Sequence, residues 1–412
     1  MKFIQNIKEL LQTRNSSQIV KGSGMSDLPS ITDAWLLMDG DIIKDFGKMD
    51  SCPEIESIEV IDATNKIILP TWCDSHTHLV FAGSREDEFV RRLKGKTYEE
   101  IAHAGGGILN SAKKLQHTSE EELFEAAWAR LQTLIELGTG AIEIKSGYGL
   151  TVDAELKMLR VIKQLKEKSP IPIKASFLGA HSYPSEYKNN HAGYIDLIIE
   201  EMLPQIAKEG LADYIDAFCE KVAFSVEETE QVIQAGIKYG LKPKVHTNQF
   251  NCMGGIELCV KNNAISVDHL EVLNDDEVEC LQQSDTIATL LPSAPFFLND
   301  PYQPARKLLD ANVAVALASD YNPGSSPSGN MNLVLSLACI KLRMTPEEAI
   351  NAATINGAHA LELGNEVGCI KAGMKANLII TKEIPSVGYM PYSFGSNLID
   401  QVIINGKQHS KQ

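Results

Sequence analysis

The chain has 412 residues, 44% hydrophobic and 22% charged, an ordinary composition for one large or two smaller globular domains. Its formal net charge of −16 argues against nucleic acid or an anionic membrane surface as a main partner, because phosphate binding needs clustered Lys and Arg. The eight cysteines form no Cys-x-x-Cys pair, so neither a zinc knuckle nor a disulfide framework is expected, and reduced thiols fit a cytoplasmic protein.

The start, MKFIQNIKELLQ, lacks the unbroken apolar region of a secretory leader, and no apolar run reaches the ~18–20 residues of a membrane span. The first seventy residues or so read as short strands. Within Ala34–Ile43, Asp39-Gly40 separates two apolar runs and predicts a hairpin, and Ile58–Asp62 is a further strand. The texture then changes to short apolar runs alternating with amphipathic helical segments. The runs are Ile67–Asp74, Ala141–Lys145, Ile173–Gly179, Tyr214–Cys219, Lys244–Thr247, Ile265–Asp268, Thr286–Leu291 and Val313–Ser319. Helical patterns such as Ser119–Arg130 and Val226–Tyr239 separate most of them. About eight βα units are what a (β/α)₈ barrel needs. Beyond them Ala376–Thr381 and Gln401–Gly406 read as strands again. The expected fold is therefore α/β: a TIM-like barrel over residues 69–363, inserted into a small β-sandwich domain made of residues 1–68 and 364–412.

In such barrels the active site lies at the C-terminal ends of the strands. The first run ends Asp74-Ser-His-Thr-His78, and the period of two along a strand sends His76 and His78 to the same side. The third run ends at His181, the fifth at His246, the sixth at His269 and the eighth at Asp320. Half of the ten histidines thus fall at strand ends; His103, His117, His191, His359 and His409 lie on helices, in loops or at the terminus and read as structural. His76, His78, His246 and Asp320 suffice to hold one divalent ion, and nitrogen and oxygen donors of this kind suit zinc or iron, with cobalt and manganese not distinguished. Such an ion brings the pKa of a bound water toward ~7, which supplies the nucleophile a hydrolase requires. Gly105-Gly106-Gly107 admits three readings, an anion-binding nest, a lid hinge or a simple helix break, and its spacing is not that of a dinucleotide fingerprint.

A barrel with His-x-His on its first strand, histidines on the fifth and sixth and aspartate on the eighth resembles the amidohydrolase superfamily. Within it, six segments resemble the imidazolonepropionase family, in order between about residues 34 and 406: His76–Phe89, Ala104–Ile108, Glu143–Leu150, Phe177–His181, Leu290–Pro292 and Ser319–Pro327. The resemblance implies hydrolysis of the cyclic amide of 4-imidazolone-5-propanoate to N-formimidoyl-L-glutamate in histidine degradation. It implies His76, His78, His246 and Asp320 as metal ligands and Arg85, Tyr148, His181 and Gln249 as substrate-binding residues. Asn322, Gly324 and Ser325 match positions that contact the product.

The chemistry of these residues agrees. A guanidinium at Arg85 can hold the substrate's propionate through paired charge-assisted hydrogen bonds, and Tyr148, on Ser-Gly-Tyr-Gly, can add a hydroxyl donor. Gln249 is a neutral amide and cannot act as a general base, so it can only orient the ring. The proton then passes to Asp320, with His269 stabilising the oxyanion and His181 holding the ring or polarising its carbonyl. One metal is expected rather than two, since Lys145 and Lys221, the candidates for a bridging carboxylated lysine, read as ordinary salt-bridging or substrate-facing lysines. Two rivals stand beside this reading. A nucleobase deaminase would share the metal site but offer Arg85 no carboxylate, and an inactive barrel serving as an interaction protein would ordinarily have lost a ligand. A small-molecule substrate is the expected partner, and a homodimer is only the base-rate assembly.

Overall fold

The computed structural model describes residues 1–54, 59–96 and 106–409. The N-terminal stretch supplies strands β1 (Lys2–Leu11), β2 (Ser30–Asp39), β3 (Ile42–Lys48), β4 (Glu59–Asp62) and β5 (Lys66–Pro70). Ile58, at the start of the expected fourth strand, lies outside the described residues. The β2–β3 hairpin pairs Asp39 with Ile42, so its turn is Gly40-Asp41, one residue beyond the expected position. Gly40 takes φ +62°, which costs glycine no Cβ clash.

The run Ile67–Asp74 is not one strand. It divides at Thr71, whose N–H donates to the Asn377 carbonyl (3.1 Å), while Trp72 N–H donates to Gly138 (2.9 Å). The chain there leaves one sheet and enters another. From β6 (Trp72–Asp74) onward, β7 (Thr139–Lys145), β8 (Ile173–Ala180), β9 (Tyr214–Cys219), β10 (Lys242–Thr247), β11 (Ser266–His269), β12 (Ile287–Leu290) and β13 (Val315–Leu317) run parallel, each beside the next. β6 and β13 are short, and the ring closes past their ends. A bridge joins Thr77 to Tyr321, Asp320 N–H donates to the His76 carbonyl (3.0 Å) and His78 N–H to the Tyr321 carbonyl (2.9 Å). Closure therefore happens at the C-terminal rim, among the candidate functional residues.

Helices cover the barrel where their ends are chemically marked. Ser119 and Glu122 form a reciprocal capping box at the start of Glu120–Glu136, and Ser225 and Glu228 do the same for Val226–Lys238. In the first of these, Leu123, Ala127, Leu131 and Leu134 bury the stripe that faces the strands. The C-terminal strands β14 (Leu378–Glu383), β15 (Ile399–Ile404) and β16 (Lys407–Gln408) return to the N-terminal ones, β14 pairing with β5. Together they make one continuous sheet around its own core of Ile4, Ile7, Leu36, Ile68, Leu378 and Ile403.

Barrel interiors of this type are usually filled by Val, Ile and Leu. Here several inward positions are polar. Glu143 and Lys145 on β7, Ser176 on β8, Asp216 on β9, Lys244 on β10, and Ser266 and Asp268 on β11 are all fully buried. They form the floor of the site described next.

Candidate active site

His76, His78, His246, His269 and Asp320 converge at the rim. The Nε2 atoms of His76 and His78 lie 3.5 and 3.6 Å from Asp320 Oδ1, and His246 Nε2 lies 3.3 Å from His78 Nε2. Ring nitrogens of His76, His246 and His269 also fall within 4.8 Å of one another. The backbone is bent to achieve this. His269, Leu270 and Asp320 take φ of +92°, +65° and +53°, values that L-residues adopt rarely and at a cost. Asp320 is held there by its own N–H on His76 and by its neighbour Ser319, whose N–H and hydroxyl both donate to Asp74 (2.9 and 2.5 Å).

The floor fixes how the imidazoles face. Asp268 Oδ2 accepts from His76 Nδ1 at 2.7 Å, Asp216 takes His246 Nδ1 at 2.9 Å, and Glu271 lies 3.3 Å from His269 Nδ1. A carboxylate on Nδ1 holds the proton there and leaves Nε2 with its lone pair turned inward. Burial drives the pKa values of His76, His78 and His246 well below the usual imidazole range, so all three are neutral. Burial pulls His269 down too, but Glu271, Asp320 and Asp268 outweigh it and raise that imidazole to about 9. These carboxylates received no role from the sequence. For Asp216 and Asp268 the available signal was an acid on a strand otherwise apolar enough to be fully buried.

Two observations show that the donor set fits a divalent cation. His76 Nε2, which faces Asp320, is buried and has no hydrogen-bond partner among the described residues, and leaving such an atom unpaired costs about 1–3 kcal/mol. The buried charges are also out of balance. Among the described residues Glu143, Asp216 and Asp268 face Lys145 and Lys244, three carboxylates against two ammonium groups. Asp74 and Asp320, both pushed by burial to about 7, add negative charge when ionised, and the His269–Glu271 pair does not supply the missing positive charge. Buried charge demands compensation, and a dication closes the account. Lys145 Nζ is itself enclosed by Glu143 (2.8 Å), Asp216 (2.9 Å) and Asp268 (3.5 Å), whereas Lys221 is exposed.

The remaining candidates ring this centre. Arg85 precedes the helix Glu86–Leu93; its Nε and Nη2 donate to Glu88 (3.0 and 2.6 Å), and a Cβ added to Gly324 would collide with its Nη1. Tyr148 is buried, its ring 5.8 Å from His78 and 5.5 Å from His181. His181 stacks on His78 at 5.5 Å and places Nδ1 3.0 Å from the Gly147 carbonyl; burial lowers its pKa to about 4. Asn322 organises its own loop. Its Oδ1 accepts from the N–H groups of Gly324 and Ser325 (both 2.8 Å), and its Nδ2 donates to the Asp320 carbonyl (2.7 Å). Gln249 is half-buried just past β10 and has no hydrogen-bond partner among the described residues. Of the glycine triplet, Gly105 lies outside the described residues, as do His103 and Ala104, while Gly107 N–H donates to Glu88 (2.9 Å). His117, His191 and His359 bond to Lys113, Glu228 and Ser17.

Comparison with known proteins agrees with this geometry. Residues 67–409 match the Amidohydrolase family. The chain is 59% identical over 406 residues to the imidazolonepropionase of Christiangramia forsetii and 60% identical over 406 residues to that of Flavobacterium johnsoniae, covering 98% of this chain and 99% of each relative. Among solved structures, a triazine hydrolase variant superposes with a TM-score of 0.76 at 16% identity, covering 99% of this chain and 94% of that one. An adenosine deaminase from Xanthomonas campestris with bound zinc gives 0.70 at 14% identity, covering 99% and 92%. At those identities the structural likeness concerns the fold alone.

Proposed function

The chain belongs to the imidazolonepropionase family of amidohydrolases, and from that premise we propose that it hydrolyses 4-imidazolone-5-propanoate to N-formimidoyl-L-glutamate in histidine degradation. It is a metal-dependent hydrolase acting on a carbon–nitrogen bond of a cyclic amide. The observation that carries the substrate assignment is a guanidinium placed against the loop that carries the catalytic acid: Arg85 packs on Gly324, four residues from Asp320.

In this proposal His76, His78, His246 and Asp320 hold one cation, zinc or iron, which when bound acidifies a water and polarises the ring carbonyl. Asp320 divides its oxygens. Oδ1 faces the imidazoles, while Oδ2, 3.4 Å from the Ser325 hydroxyl, accepts the proton of the attacking water and returns it to the ring nitrogen as the C–N bond breaks. Burial pushes this carboxyl of the metal-free site up to about 7. His269, oriented by Glu271, donates to the developing oxyanion. His181 is neutral and spends its Nδ1–H on Gly147, which leaves Nε2 as an acceptor for a ring N–H. It therefore holds the ring rather than polarising the carbonyl. Tyr148 stays protonated, since burial raises its pKa, and serves as a donor beside Arg85. A single cation follows from Lys145, whose three carboxylate neighbours favour the ammonium over a carboxylated bridge. The eight free cysteines support a cytoplasmic location, and no helix among the described residues is long and apolar enough to cross a membrane.

The test is turnover of freshly generated imidazolone propionate, followed by loss of its ultraviolet absorbance and appearance of formimidoylglutamate. Hydrolysis that Arg85→Ala cuts by about tenfold or more in kcat/KM supports the assignment. Turnover of nucleobases instead would transfer the site to the deaminase reading.

A further inference from the structure

The loop that follows β7, residues 146–150, serves the substrate side twice: it carries Tyr148, and its Gly147 carbonyl receives His181. Its backbone is costly to hold, with Gly147 at φ +108° and Leu150 at φ +57°. It is also closely packed. A Cβ on Gly147 would come within 2.9 Å of His181 Nδ1, and one on Gly149 would run into the backbone of Glu155.

Glu155 lies in the first turn of the helix Val152–Lys168 and is fully buried. An acid in a first turn ordinarily answers the helix dipole from the surface. This one spends both oxygens on the preceding loop. Oε2 accepts from Gly147 N–H (3.0 Å), and Oε1 from Gly149 N–H (2.7 Å) and Leu150 N–H (3.0 Å). No salt bridge reaches it among the described residues, so the Ser146 side chain and the three backbone N–H groups, all of the same loop, are what stabilise this carboxylate.

We propose that Glu155 is the positioning residue of the substrate half of the pocket. By gathering three N–H groups it sets the path of Gly147–Leu150, and so places the Tyr148 hydroxyl and the His181 ring together. The proposal rests on the function given above for those two residues. Glutamine cannot replace it: one end of its amide is a donor, so either Gly147 or the Gly149–Leu150 pair would meet a donor instead of an acceptor.

The experiment is a double-mutant cycle of Glu155→Gln with His181→Ala in metal-loaded enzyme, using imidazolone propionate, with metal content and melting recorded for each variant. E155Q is expected to lower kcat/KM about tenfold or more while keeping its metal. In the H181A background the same change is expected to cost less than it does in wild type, because one of its two routes of action is already gone while the Tyr148 route remains. Glu155→Asp, which keeps the carboxylate, recovers part of the loss and stands in for E155Q in the cycle if that variant does not fold. Amide hydrogen exchange over 146–150 reads the anchoring without substrate, and protection is expected to fall in E155Q ahead of the rest of the chain. An E155Q enzyme within twofold of wild type, a loss that multiplies in full on H181A, or unchanged protection of the loop each overturns the proposal. A wild type that leaves imidazolone propionate intact refutes the function instead, and the exchange measurement then decides the role of Glu155 alone.

Discussion

Asparagine at position 268 changes one atom at the centre of the site and removes one buried charge. Asp268 Oδ2 accepts from His76 Nδ1 at 2.7 Å and lies 3.5 Å from Lys145 Nζ, and Oδ1 accepts from the Ser266 hydroxyl. In Asp268→Asn, an amide nitrogen turned to His76 would meet its N–H. Turned the other way, it leaves a neutral acceptor where a charged one stood, and a charge-assisted hydrogen bond is roughly twice as strong. The excess of buried carboxylates that favours a dication shrinks by one at the same time. Both effects weaken metal binding. Loss of an outer partner of a metal-facing histidine costs about 10–100-fold in affinity, or about 1.4–2.8 kcal/mol. The fold should survive, because Lys145 keeps Glu143 and Asp216 as partners. Zinc titration of the metal-free protein against a chromophoric chelator at neutral pH measures the change. An affinity within twofold of wild type, or a tighter one, would refute the assignment of His76 and its carboxylate to the metal.

Three further outcomes are expected. Gly324→Ala should raise KM by about tenfold with melting unchanged, because its backbone tolerates a side chain but the new methyl displaces Arg85; steady-state kinetics beside a melting curve check this. Asp320→Asn in metal-loaded enzyme should lower kcat by about 10²–10⁴-fold, and near-normal turnover with metal bound would end its role as proton carrier. Metal affinity should weaken as pH falls below about 7, since burial raises the Asp320 carboxyl of the metal-free site to about 7 and the proton then competes with the cation. Titrations at several pH values test that sign, and a flat affinity between ~pH 8 and ~pH 6 contradicts it.

The barrel was readable because its strands are short apolar runs spaced by capped helices, and capping residues such as Ser119 and Ser225 are local chemistry. The convergence of His76, His78, His181, His246, His269 and Asp320 was readable for a related reason: strand ends in a barrel share one rim, whatever their separation along the chain. What stayed hidden depends on the third dimension alone. The run Ile67–Asp74 looks like one strand, and only the hydrogen bonds that Thr71 and Trp72 donate to Asn377 and Gly138, remote in sequence, divide it between two sheets. Lys145 reads as an ordinary salt-bridging or substrate-facing lysine and Lys244 only as the start of a strand, yet both are fully buried against Glu143. Asp216 and Asp268 gained meaning only when β9, β10 and β11 came into register with the histidines they orient. Asn322 matched a product-contacting position, while its side chain turns out to be occupied in shaping its own loop.

The central claim is that one cation at the rim makes this chain an imidazolone propionate hydrolase. The most direct measurement strips the protein of metal, adds zinc or iron back in fractions of an equivalent, and follows hydrolysis at each step. Activity absent in the stripped protein, rising in proportion and reaching its plateau at one equivalent per chain, is the predicted result. Activity that survives stripping, or a plateau only at two equivalents, would contradict it.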